Sequence, residues 1–269
     1  MTPAQFARLR RLLSLRLLET LAKLFLGLGS WRDADADRFV RQAVPLVFGA
    51  QRSLAALAAT FVAAQASDAL GRPIAPPGIP DEKAIDLRHS VDAAEVYRRP
   101  FVEARRGLAG GKTLDEAVQL GAVRLREIAE ADLQQTYAHA SQVAMERLPA
   151  GFRPRYWRRV LQGEENCALC VVASTQRYHV KDLNPIHPAC DCQVRPILTR
   201  EDPGQVIEPE LLEQVHSAVE ALTGKADRGA RAPDYRQLLV QMTPEHGELG
   251  RMLVRPRDRF TGPDDLRAS

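Results

Sequence analysis

The sequence predicts an α-rich (α+β) protein: long helices first, a small β-hairpin-like module after them, and a C-terminal helical tail. Three observations predict this. Leucines and alanines recur at three- and four-residue intervals over most of the first 150 residues. β-Forming residues gather in two short runs, at 153–163 and 193–198. All four cysteines lie between positions 167 and 192.

The bulk properties fit this picture. A chain of 269 residues can hold one large or two smaller hydrophobic cores. Its 45% hydrophobic and 26% charged residues exclude a disordered chain. A net charge of +3 is too small to name nucleic acid as a partner without a localised patch.

Residues 1–70 form an N-terminal helical region. Leu9, Leu13, Leu17, Leu21 and Leu24 share one face, and Leu12, Leu15, Leu18 and Leu28 widen it, so this helix is expected to pack on more than one neighbour. Arg16, Glu19 and Lys23 break the apolar run, which argues against a signal peptide and for an amphipathic helix of an intracellular protein. A second helix is expected over 35–69, kinked at Pro45. The segment 71–83 is proline-rich and reads as a linker. A further helical region, 84–150, is expected to break near Pro100. It resumes after Thr113, which stands in a capping-box relation to Glu116 and opens a long helix to about Arg147. From 201 to 269 the pattern predicts one helix over 209–222 stopped by Gly224, a short helix over 235–242, and irregular chain.

Two motifs resemble sites and fail on inspection. Gly110-Gly111-Lys112-Thr113 has the end of a P-loop, but Arg106 occupies the position of its first glycine and no strand precedes it. The acidic run 33–37 lacks the glycine and the final carboxylate of a calcium loop, having Arg38 and Val44 there. His89, His139, His216 and His246 show no ligand spacing, and no local nucleophile signature occurs, so the sequence gives no positive sign of an enzyme.

The cysteine stretch, 151–200 with its flanking strands, carries the chemistry. Cys167-x-x-Cys170 is followed, after sixteen residues, by His187-Pro188-Ala189-Cys190-Asp191-Cys192. Two ligand pairs separated by such a loop suit tetrahedral Zn²⁺, each pair aiming soft donors at one ion from a tight turn. Five candidates, Cys167, Cys170, His187, Cys190 and Cys192, compete for four places. The set Cys₄ and the sets with His187 are both open. Two disulfides need an oxidising compartment, a redox C-x-x-C needs a thioredoxin-like βαβ unit, and four unliganded cysteines rarely cluster so tightly. A closed four-ligand site leaves no place for water, so the zinc is expected to be structural and to stabilise a module with little core.

Residues 155–197 closely resemble the core of the phage Mu F-like (MuF) minor head protein family. The matching positions are Cys167, Cys170, Tyr178, His187, Pro188, Cys190, Cys192 and Pro196. The helical stretch 131–146 resembles the region ahead of that motif, and Glu245–Gly250 is similar to a tail in versions from actinobacterial phages. The resemblance is strong over about 130–200 and no more than helical before that. It implies a minor capsid or head morphogenesis protein, present in several copies at the portal vertex. Portal protein, major capsid protein or packaged DNA would be its partners, and the virion or procapsid interior its place after synthesis in the bacterial cytoplasm. In that setting Arg153, Arg155, Arg158 and Arg159 form a basic aromatic strand able to touch DNA phosphates, although a solvated strand face is the plainer expectation. Two other classes stay open: a capsid maturation protease, and a nucleic-acid-binding zinc protein.

Overall fold

The computed structural model describes residues 1–85, 91–162, 165–183, 192–198, 202–224, 239–241 and 252–254. Helix dominates, accompanied by two small antiparallel sheets, so the α-rich α+β class holds. The chain divides into two compact units. One contains Met1–Pro154 and the segment that begins at Val180; the other contains Arg155–His179 and the later strands and helix.

The first unit is built on four long helices. α1 (Pro3–Leu26) starts at a capping box in which the Thr2 hydroxyl accepts from the Gln5 amide and the Gln5 side chain accepts from the Thr2 amide. α2 (Asp33–Leu70) runs unbroken through Pro45 to Gly71, which ends it in the left-handed conformation that glycine adopts without a Cβ penalty. Its apolar middle has the length and composition of a membrane span, but half of that window is buried against the rest of the unit. α3 (Asp81–Ala84) is a single turn at the end of the proline-rich segment, and Arg147 donates to the Gly78 carbonyl at 2.7 Å. That segment is thus held down and is not a free tether.

α4 (Ala93–Ala109) corrects one expectation: Pro100 lies inside it and does not end it. The lost backbone hydrogen bond is tolerated because Pro100 is buried with Val96, Tyr97, Phe101, Ala104 and Gly107 on a face that packs against α5. α5 (Leu114–Glu146) begins at Thr113, whose hydroxyl accepts from the Glu116 amide while Glu116 accepts from the Thr113 amide. Two aromatic groups fix the bundle. Phe6 stacks on Phe61 at 4.2 Å and meets Tyr137 at 5.4 Å. Phe25, Phe39 and Phe101 meet edge-to-face at 5.1–5.7 Å.

The second unit carries β1 (Tyr156–Val160), β2 (Glu165–Cys167), α6 (Ala168–Ser174), β3 (Arg177–His179), β4 (Gln193–Ile197), α7 (Pro209–Thr223), β5 (Leu239–Gln241) and β6 (Met252–Val254). One sheet has the order β3–β1–β4, the other β2–β5–β6, and every pairing is antiparallel. The expected strands at 153–163 and 193–198 are therefore β1 and its neighbour β4. β5 occupies part of the stretch predicted as a helix over 235–242; its described residues pair with β2, more than seventy positions upstream, a long-range partner that local pattern does not reveal. α6 and α7 share an apolar core of Ala168, Val171, Val172, Val215 and Val219, and Gly224 closes α7 in the left-handed conformation.

Candidate metal centre

The alternation of β1 separates two faces. Trp157 and Arg159 point inward and are buried, whereas Tyr156, Arg158 and Val160 are only half-buried. Trp157 is fully buried, and its indole N–H donates to the His179 carbonyl at 2.9 Å, which satisfies the one polar atom such a ring brings inside. Across the ladder Trp157 faces Tyr178 on one side and Pro196 on the other. The rings of Trp157 and Tyr178 lie 5.1 Å apart. The Arg159 guanidinium sits 4.8 Å from the Trp157 ring centre and 5.8 Å from that of Tyr178.

This inner layer meets the cysteines. The Tyr178 hydroxyl donates to the Ala173 carbonyl of α6 at 3.0 Å. Burial pushes its pKa up, the Arg159 guanidinium opposes that shift, and the neighbouring Cys170 adds to it. Cys170 is buried within α6, and Cys192 is buried immediately before β4. The first pair therefore does not sit on an isolated turn. Cys167 ends β2 and Cys170 lies in the first turn of α6, so the C-x-x-C spans a strand-to-helix junction.

Of the five candidate ligands, Cys170 and Cys192 are described with their side chains, and the structure puts both thiols inside the same unit. His187 and Cys190, like Pro188, lie outside the described residues, as does the side chain of Cys167. Among the described residues no group of three or more His, Cys, Asp or Glu side chains could hold a metal ion. Both described positions are buried thiols, a donor type that zinc accepts.

The four arginines part company. Arg159 is turned inward under the aromatic rings. Arg158 pairs with Glu208 and donates to the Ser174 carbonyl at 3.3 Å. Arg153 is exposed, its Nε donating to the Leu148 carbonyl at 2.9 Å, and Arg155 is exposed beside the Tyr156 ring at 5.8 Å. A row of three arginines, which sequence reasoning missed, crosses the sheet in register: Arg177, Arg158 and Arg195. Like charges directly opposite repel, and two of the three are neutralised by the segment before α7. Asp202 takes Arg177 at 2.6 Å and Glu208 takes Arg158, while Arg195 stays exposed. Only strand register could have revealed the row.

Among the scattered histidines, His216 is buried on α7 and His139 is half-buried on α5; His89 and His246, with the rest of the 245–250 stretch, lie outside the described residues. No protein-family model, no curated protein and no solved structure matches the chain.

Proposed function

We propose that the chain is a phage minor capsid, or head morphogenesis, protein: a portal-vertex-associated structural component acting in head assembly, DNA packaging or delivery. Its 151–200 region is a MuF-type module held by a structural zinc ion. The observation that carries this reading is the signature Cys167-x-x-Cys170…His187-Pro188-x-Cys190-x-Cys192 in a module where Cys170 and Cys192 are buried beside a small sheet. A bound ion would add folding energy directly to the small core that Trp157 and the α6–α7 cluster provide. The helical unit would offer the surface for portal or capsid protein. Contact with packaged DNA would fall to Arg153 and Arg155, the two exposed members of the basic strand.

The test is co-purification. Tagged protein expressed with the portal and major capsid proteins of its phage should sediment with portal rings or procapsids, in several copies per particle. Failure to associate with either, at concentrations where the particles assemble, would sink the reading. Cleavage of the capsid protein in the same mixture would move the chain to the maturation proteases.

A further inference from the structure

We propose that the cleft between α1 and α2 is a docking groove for an acidic amphipathic helix of a partner protein. The cleft lies wholly within the first unit, is open to solvent and has a volume of about 610 Å³, suited to a row of large side chains. Three observations carry the proposal, and none depends on the head-assembly reading.

The first is that α1 bears two apolar stripes. Phe6, Leu17, Leu21 and Phe25 are spent on the core of the unit. Leu9 and Leu12 are not: they remain 46% and 42% exposed along the cleft, opposite Leu46 of α2, which is 42% exposed. Grouped leucines that stay open on a helical surface mark an interaction site more often than scattered ones do.

The second is Gly49. It stands in the middle of α2 on the cleft floor, with Ala50 and Ser53 beside it. A Cβ there would meet no atom within 4 Å, so nothing in this chain requires glycine. Glycine is among the poorest formers of helix interiors, so its presence leaves a notch that this molecule does not itself use. Gly107 and Gly121 differ, since each is pressed against a neighbouring element. A shelf of small residues lets a visiting helix lie close and set its own large side chains between the leucines.

The third is charge. Arg16 lines the cleft, and α1 carries Arg8, Arg10, Arg11, Arg16 and Lys23 against the single acid Glu19. Arg16 has no carboxylate partner among the described residues. Acidic flanks on the incoming helix complement Arg16, the charged residue of the cleft lining, within the basic excess of α1, and set the helix's register. A second copy docking through the same face would bring Arg16 toward the same basic helix. A membrane surface is matched by a convex apolar face, not by a notched cleft.

The experiment pans the full-length protein against a displayed library of sixteen-residue helices with leucine fixed at i, i+4, i+7 and i+11 and the flanking positions randomised. Enriched helices should carry Asp or Glu on their flanks. Their binding should fall about tenfold or more in Gly49→Leu, the scale of filling a central pocket, and the flanks should shift toward Lys and Arg when the bait is Arg16→Glu. Neither variant should lower the urea midpoint, because position 49 is open and leucine is the better helix former there, and Arg16 has no carboxylate partner among the described residues. No enrichment, or enrichment indifferent to Gly49→Leu, overturns the proposal. Two other results do the same: binding to phosphatidylglycerol vesicles that Gly49→Leu leaves unchanged, and a concentration-dependent dimer that Gly49→Leu abolishes.

Discussion

Gly121 of α5 lies so close to Phe25 of α1 that a Cβ at this position would stand 2.8 Å from the ring's Cζ and 2.8 Å from the Pro100 carbonyl oxygen. Three helices therefore meet at a point where only a hydrogen fits. The same contact packs α4 at Pro100, where the helix lacks one of its own hydrogen bonds.

Gly121→Ala should destabilise the first unit. Alanine gains about 1 kcal/mol of helix propensity, but overpacking against backbone and a buried ring costs about 1–3 kcal/mol. The Pro100 carbonyl cannot swing away as a flexible side chain could, so the loss wins. Urea denaturation followed at 222 nm should show a lowered midpoint; an unchanged or raised midpoint would contradict the packing described.

Thr113→Ala should cost about 1 kcal/mol by removing the hydroxyl that caps α5. Thr113→Ser should restore most of it, since only the hydroxyl is used. The urea midpoints of the two variants check this directly.

Asp35 supplies a pH dependence. The Ser30 hydroxyl donates to it at 2.6 Å and the Ser30 amide at 2.9 Å, while Arg38 lies at 2.5 Å. These bonds from Ser30, with the charge of Arg38, hold its carboxyl below the usual carboxylate range despite burial. A depressed folded-state pKa adds stability that is fully present above the unfolded value of about 3.9 and is lost as pH falls through the folded value. Melting temperatures of the wild type and Asp35→Asn should thus differ at pH 6 and converge as the pH drops below about 4. A constant difference over that range would rule this contribution out.

Trp157→Ala should damage the second unit severely. The residue is fully buried, and its loss opens a large cavity worth about 3–5 kcal/mol and leaves the His179 carbonyl without its donor. Near-ultraviolet circular dichroism should lose the signal of that unit. Trp157→Phe should be milder, keeping most of the volume but not the hydrogen bond.

Local signals made much of this fold legible in the sequence. The capping box of Thr113 and Glu116, the stop at Gly224 and the strand around Trp157 all appear where residue chemistry alone places them. The misses are tertiary. Pro100 reads as a helix break until α5 is packed on it, and β5 reads as helix until β2 is brought beside it. The leucine stripe of α1 predicts several neighbours, and α2 and α5 are indeed packed on it. That pattern could not say that Leu9 and Leu12 stay uncovered. At the candidate site, the spacing pointed to Cys167, Cys170, His187, Cys190 and Cys192; Cys170 and Cys192 are buried, while His187, Cys190 and the side chain of Cys167 lie outside the described residues. The basic strand looked uniform in sequence, yet β alternation turns Arg159 inward, and Arg158 is drawn to Glu208 by an ion pair fifty residues away.

The measurement that bears most directly on the metal-centre claim is zinc stoichiometry by mass spectrometry of the native full-length protein, before and after a chelator. The zinc reading predicts one zinc per chain, with its removal lowering the stability of the protein. It also predicts that single replacements of Cys167, Cys170, His187, Cys190 and Cys192 will leave one position dispensable. Less than half an equivalent of zinc, with unchanged stability in the chelator, would contradict it.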